Sequence, residues 1–168
     1  MPSRVIVFTP VLLTAMLAAT IVFYVAPNIT SDDIKVTSKY AQWNPYEVKY
    51  DVITKNGIYK SIYVKDSWEV SITIKSTGSA PAKITGILLN HRDIDLYTPK
   101  IIYISRVDGN PQYLNNYKIT LDSGESAKIT ILIPFDAKSD GISFTHGNLV
   151  DVRIFTQTKE KALSVVVP

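Results

Sequence analysis

The feature that most constrains this 168-residue chain is a run of 27 consecutive uncharged residues, positions 5–31, between Arg4 and Asp32. Within it, residues 5–26 have the sequence VIVFTPVLLTAMLAATIVFYVA. A core helix of a globular protein usually has a polar face, and this segment has none. As a helix it would be about 33 Å long, close to the thickness of a bilayer hydrocarbon core. We therefore expect a long apolar N-terminal helix that ends at Pro27, before a polar linker.

Three interpretations fit the apolar segment. A secretory signal peptide agrees with the short basic start at Arg4, but the run exceeds the usual length of such a signal, and Tyr24 stands two positions before the best exit residue, Ala26. The other two are a permanent single-span membrane anchor and a helix that packs against copies of itself in a polymer. Hydrophobic periodicity does not separate these two.

From Asp32 onward, apolar and polar residues alternate, which is typical of β-strands. The clearest strand is predicted at 68–75, where apolar residues alternate with polar ones such as Glu69 and Ser71. Turn residues (Gly, Pro, Asn and Asp) separate about ten predicted strands, which is typical of a sandwich. The other nine are expected at 34–40, 48–53, 58–64, 82–90, 100–107, 113–121, 127–133, 150–154 and 162–167.

The predicted fold class is therefore α+β: a long N-terminal apolar helix followed by an antiparallel, immunoglobulin-like β-sandwich head. We expect two domains, with residues 1–31 as the helix and linker and residues 32–168 as the head. The head is long enough to bury a core of its own.

The composition argues against most kinds of chemistry. The chain has no Cys, which excludes disulfides, thiolate metal sites and a Cys nucleophile. The net charge of +3 is small and its signs are mixed, so no nucleic-acid surface is predicted. Phosphate-binding loops and nucleophile elbows are missing. His91 and His146 lie in polar turns, where solvated histidines are common. We expect no enzyme activity, no cofactor and no metal.

Other polar and aromatic residues leave alternatives open. The pairs Asp93/Asp95 and Asp136/Asp140 carry oxygen ligands suited to Ca²⁺, but the 12-residue loop with its terminal Glu is missing. Nine of the ten tyrosines lie in the head. They suit half-buried strand positions, or they form a contact surface between subunits or toward other surfaces.

Three phrases, in this order along the chain, resemble those of archaeal type IV pilins and the related archaeal flagellins (archaellins). They are TPVLL at 9–13, which opens the apolar run, and the strand–turn phrases IKSTGSAPAKI at 74–84 and LDSGESAKI at 121–129. Precursors in this family usually carry a basic leader that ends in Gly or Ala. Here Ser3-Arg4 is the only counterpart, and no cleavage site is assigned.

The resemblance implies a structural subunit of an extracellular helical filament on the cell surface, passing through the cytoplasmic membrane. We expect it to serve surface adhesion, with DNA exchange and rotation-driven swimming as the alternatives. Its partners would be identical copies, the membrane before assembly, and the pilus assembly machinery. Alanines would let neighbouring helices approach while bulky residues fill the spaces. The candidate filament-core residues are Pro10, Leu12, Leu13, Ala15, Met16, Leu17, Ala18, Ala19, Ile21, Val22 and Phe23.

Glycans are also implied on the outer heads. Asn28, in the sequence Asn-Ile-Thr, is a candidate glycosylation site. The alternative function is a single-pass membrane-anchored β-sandwich that binds a ligand or partner and does not polymerise.

Overall fold

Strands with a period-two apolar pattern dominate the computed structural model, which describes residues 31–108, 110–115 and 119–168. Strands make up 59% of it and helix 2%. The helical part is a single 3-10 turn, Ile94–Leu96, which Asp93 caps through the backbone N–H of Asp95. The strands are β1 (Ile34–Asn44), β2 (Val48–Ile53), β3 (Tyr59–Val64), β4 (Ser67–Ser76), β5 (Ala82–Lys83), β6 (Gly86–Leu89), β7 (Arg92–Asp93), β8 (Ile102–Val107), β9 (Tyr113–Leu114), β10 (Thr120–Leu121), β11 (Ser126–Pro134), β12 (Lys138–Ser139), β13 (Ile142–Ser143), β14 (Leu149–Phe155) and β15 (Glu160–Val166).

The strands form two main sheets. The large sheet has seven strands in the order β1-β4-β11-β8-β9-β2-β3, and the smaller one has four in the order β15-β14-β6-β7. Strands β10 and β5 form a two-stranded sheet, as do β12 and β13. All pairings in these sheets are antiparallel except the contact between β2 and β9. Residues 32–168 form one compact unit.

The main core lies between the large and the four-stranded sheet. Strand β4 contributes Val70, Ile72 and Ile74 to it, and the facing strand β14 contributes Val152 and Ile154. These are the apolar positions of the predicted alternating pattern, since side chains two residues apart share one face of a strand. Burying such side chains is the main stabilising contribution to a fold of this kind.

A second, smaller core lies on the opposite face of the large sheet. The sheet curls until the β2–β3 hairpin covers that face, and Val52, Ile104 and Leu132 are buried between them. The hairpin turns at Gly57, whose positive φ of 77° suits glycine. This turn lies between the strands predicted at 48–53 and 58–64, as the sequence pattern requires.

The predicted α+β fold class is wrong. In the part of the chain that the structure describes, no α-helix is present and the architecture is nearly all β. The described region consists of strands joined by turns and one 3-10 turn, and the helical part of the predicted class had rested on the N-terminal segment alone. That helix, its candidate residues from Pro10 to Phe23, and Asn28 lie outside the described residues. Among those described, no helix is long and apolar enough to cross a membrane.

The head is also more complex than the two-layer, immunoglobulin-like sandwich that the sequence predicted. Because the hairpin covers the outer face of the large sheet, the head has three layers over part of its area. The predicted strand at 113–121 is divided into β9 and β10, and the one at 82–90 into β5 and β6. The strand predicted at 68–75 is confirmed as β4.

Replacement of a central core residue tests this packing. We expect Ile72→Ala to lower the free energy of unfolding of residues 32–168 by about 2–5 kcal/mol, because it leaves a cavity between the sheets. The matched control is Ile58→Ala, because Ile58 is 62% exposed, and its effect should stay within about 0.5 kcal/mol. Urea unfolding measures both, and equal effects would contradict the packing described.

Candidate functional site

Two groups of side chains in the head combine polar and aromatic character. One is a buried carboxylate cluster around Glu69, on the outer face of the large sheet. The other is an aromatic cleft at the end of β1, lined by Trp43, Asp66, Trp68, Phe135, Phe144, Thr145 and His146. The filament-core residues predicted from the sequence belong to neither group, since they lie outside the described residues.

The Glu69 carboxylate is 6% exposed and accepts five hydrogen bonds, all from uncharged donors. Glu69 is the third residue of β4, and its donors lie on β1, on β4 itself and on β2 of the covering hairpin. The donors are Tyr40 Oη (3.2 Å), Gln42 Nε2 (3.0 Å), Asn44 Nδ2 (3.4 Å), Tyr50 Oη (2.8 Å) and Ser71 Oγ (3.1 Å). This saturation offsets the cost of burying a charge.

Two opposing effects set the proton equilibria of this cluster. Burial raises the pKa of Glu69, but hydrogen bonds from Tyr50, Asn44 and other donors outweigh it, so the pKa is lowered overall. For Tyr50, burial together with the hydrogen bond to Glu69 and its negative charge raises the pKa. Glu69 therefore stays ionised and Tyr50 stays a donor at neutral pH.

A cavity of about 140 Å³ adjoins the Glu69 cluster. Arg106 and Lys128, which line it, are directly opposite one another on β8 and β11. Lys128 Nζ contacts Tyr40 Oη at 3.3 Å and lies 5.5 Å from the centre of its ring. The donors to Glu69 connect β1, β2 and β4, so the cluster acts as a structural connection between the hairpin and the sheet.

The aromatic cleft forms at one edge of the head, where β1 and β11 end and β4 begins. In the β1–β4 register, Trp43 is directly opposite Trp68, and their ring centroids are 5.1 Å apart. His146, in the loop after β13, packs edge-on against both, at 5.4 Å from Trp43 and 5.5 Å from Trp68. Phe135, just after β11, is 58% exposed. The cleft has a volume of about 380 Å³.

Asp66 supplies the acidic group of the cleft. It adopts a positive φ of 47°, a conformation that Asp tolerates better than most residues, and its carbonyl oxygen accepts a hydrogen bond from the Phe135 N–H at 3.1 Å. The Asp66 carboxylate itself has no hydrogen-bond or ion-pair partner among the described residues. The cleft thus has apolar walls and a polar group that is not used elsewhere in the fold.

The chain enters the head at the opposite end of β1. Asp32 is 5% exposed and accepts a hydrogen bond from Thr158 Oγ1, which is the main cause that lowers its pKa. Asp33 pairs with Lys159 at 3.3 Å and accepts from the Ile34 N–H at 2.9 Å. We call residues 32–34 the junction. It is fixed to the loop between β14 and β15.

Two of the four residues considered earlier as cation ligands, Asp93 and Asp140, have other side-chain contacts. Asp93 caps the 3-10 turn, and Asp140 pairs with Arg92 at 3.1 Å. Among the described residues no group of three or more acidic or His side chains is arranged to hold a metal ion. His91 is exposed and lies 3.5 Å from Asp151. His146 lies in the predicted turn, but its packing against two tryptophans was not foreseen from the sequence.

Some tyrosines are buried in the head and others are exposed on its surface, so both interpretations of the tyrosines apply, each to different residues. Tyr97 and Tyr103 are buried; Tyr97 donates to the Leu89 carbonyl oxygen at 2.6 Å, and burial raises its pKa to about 12. Tyr46, Tyr59 and Tyr63 are more than half exposed. Tyr59 and Tyr63 lie on β3, an edge strand of the large sheet. Aromatic side chains therefore serve the core and also reach the surface.

No known protein-family model matches the chain, and no curated protein matches it significantly. Functional inference therefore rests on the residues and geometry of this chain.

The Glu69 cluster generates a stability prediction. We expect Glu69→Gln to lower the free energy of unfolding of residues 32–168 by about 1–3 kcal/mol at neutral pH, because the amide NH₂ would face groups that also donate. The matched control is Glu47→Gln at an exposed position, which should leave stability nearly unchanged.

Comparison of the wild type with Glu69→Gln also tests how the stabilisation by Glu69 depends on pH. The folded pKa of Glu69 lies below its ordinary value of 4.5, so its stabilisation is complete above pH 4.5 and is lost as the pH falls through the lower folded value. The stability difference between the wild type and Glu69→Gln should therefore shrink below pH 4.5. A difference that stays constant down to about pH 3 would contradict a stabilising ionised Glu69.

Proposed function

We propose that this chain is a structural subunit of an extracellular helical filament similar to archaeal type IV pili, and that residues 5–26 are its polymerisation segment. The observation that carries the proposal is the uncharged run of residues 5–31, joined at Asp32 to the first strand of a nearly all-β head. The sequence resemblance to archaeal pilins covers both parts.

The energetics favour a permanently covered apolar segment. Exposing its large side chains to water would cost roughly 1.5–3 kcal/mol each, or some tens of kcal/mol in total. Transfer from lipid into a bundle of identical segments is nearly neutral, because both surroundings exclude water. Assembly therefore depends on close packing, which Ala15, Ala18 and Ala19 permit, and on assembly machinery that consumes ATP, as the resemblance implies.

The symmetry of the contacts decides the shape of the product. Each copy would contact the next in a head-to-tail arrangement, and heterologous contacts that do not close give a helical filament. The β heads would form the outer surface, and their exposed aromatic residues would be available for adhesion.

The anchoring of the junction suits a head that must withstand tension along a filament. Tension on the polymerisation segment would reach the head through Asp32 and Ile34. Strand β1 begins at Ile34 and forms ten residue pairs with β4, down to Asn44 opposite Ser67. The hydrogen bonds of an antiparallel pair run across the strands, so a pull along β1 loads many of them together in shear.

Charge in the polymerisation segment should prevent assembly. We expect Ala18→Glu or Leu13→Asp to abolish filaments, because a buried unpaired carboxylate is costly in a packed apolar bundle. The head should stay folded, with an unchanged β-type circular dichroism spectrum. The measurement is filament yield after expression and shearing, scored by electron microscopy.

The matched control is Ala162→Glu, at an exposed position on β15, which should leave the filament yield normal. Filaments of normal yield from Ala18→Glu would exclude a core built from residues 5–26. A wild-type protein that stays in the membrane fraction as a monomer would instead support the alternative, an anchored binding protein.

A further inference from the structure

We propose that the aromatic cleft at the end of β1 is a binding site for a single neutral pyranose sugar. The inference names a target class for the proposed adhesion function. It rests on the residues of the cleft and not on polymerisation, so each of the two proposals can fail without the other.

The size of the cleft suits a small ligand. Its volume of about 380 Å³ lies near the lower end of the range for small-molecule sites. One sugar ring with a substituent fits such a space, whereas an added strand or a docked helix needs a much longer groove. The walls are aromatic, as is usual for pockets that bind small molecules.

The rings provide an apolar surface for the C–H groups of a sugar. Phe135 is 58% exposed, and Trp43 is half-buried at the end of β1. Trp68 is 3% exposed and supports Trp43 from behind through the tilted contact of 5.1 Å. Such a supported ring is held in place before binding, so little side-chain entropy is lost on association.

The polar groups of the cleft include both acceptors and donors. Asp66 offers a carboxylate without a protein partner, and Thr145 offers a hydroxyl that makes no hydrogen bond in the described part of the chain. His146 Nδ1 contacts the carbonyl oxygen of Pro168 and must therefore carry the proton in the neutral ring, which leaves Nε2 as an acceptor.

Trp68 lines the cleft with its ring only. Its Nε1–H has no hydrogen-bond partner among the described residues, but the atom has almost no accessible surface, so a ligand in the cleft does not reach it. The polar groups that a ligand can reach are therefore those of Asp66, Thr145 and His146. Sugar hydroxyls both donate and accept, so a pyranose matches this mixture. An organic cation would use the rings and Asp66 but would leave the Thr145 hydroxyl and His146 Nε2 without a partner in the ligand. An apolar side chain from a second copy would leave all of the polar groups unpaired.

Tryptophan fluorescence gives a direct test, because Trp43 and Trp68 are the only two tryptophans of the chain and both line the cleft. The full-length chain is held in a detergent without a sugar headgroup, such as lauryl dimethylamine oxide. It is titrated with methyl β-D-glucopyranoside, methyl β-D-galactopyranoside and methyl α-D-mannopyranoside, and in parallel with tetramethylammonium chloride.

We expect a saturable change in emission with at least one glycoside, with a Kd in the millimolar range that ligands of this size typically reach. Phe135→Ala retains both fluorophores and should weaken binding about tenfold, because it removes one stacking ring. The matched control is Tyr59→Ala, an exposed aromatic residue outside the cleft, which should bind like the wild type.

The Asp66→Asn variant distinguishes a sugar-binding site from a cation-binding site. Asn also tolerates a positive φ, so the backbone should be preserved. The substitution should weaken glycoside binding severalfold, since the amide keeps one acceptor, whereas a cation site would lose most of its affinity.

Saturation with tetramethylammonium but with none of the glycosides would overturn the proposal in favour of a cation site. No emission change with any glycoside up to about 100 mM, far above the expected Kd, would also overturn it. Glycoside binding that is equal in the wild type and Phe135→Ala would show that the sugar binds elsewhere.

Discussion

The position of the β2–β3 hairpin over the large sheet depends on one buried charge, the carboxylate of Glu69. A buried carboxylate is tolerated only when its oxygens are hydrogen-bonded, and here the donors come from β1, from β4 itself and from the hairpin strand β2. Residues near Glu69 in the sequence could not supply these hydrogen-bond donors by themselves. The polar cluster therefore requires that the β2–β3 hairpin lie over the large sheet, beside the small core of Val52, Ile104 and Leu132.

The two ends of β1 connect this cluster with the proposed functions. At one end, Asn44 donates to Glu69 and is the direct neighbour of Trp43, so the cluster also fixes the tryptophan wall of the cleft. At the other end, Asp32 and Asp33 are bound to the β14–β15 loop. Because β1 is 11 residues long, it separates the junction from the cleft by about 33 Å. A head attached at Asp32 can bind a target without disturbing its attachment.

Local patterns in the sequence predicted individual strands well, because the alternating apolar residues of a strand such as β4 lie on one face and fill the main core. They did not predict which strands meet. Glu69 and Ser71 occupy the polar positions of β4, on the face opposite to its apolar residues, and the alternation did not reveal that the hairpin covers them. The cleft was missed for the same reason, since Trp43, Trp68 and His146 come together through strand register and loop placement. The α+β class failed because it combined the β pattern with a segment that the structure does not describe.

The central claim is that the uncharged segment assembles identical copies into a filament, with the β heads outside. Shearing of cells followed by electron microscopy of the released material tests it most directly. The account predicts that the full-length chain is recovered in sheared fibres, with residues 5–26 along the filament axis in a helical reconstruction. Recovery of the chain only as a monomer, either in the membrane fraction or free in buffer with residues 5–26 intact, would contradict the account.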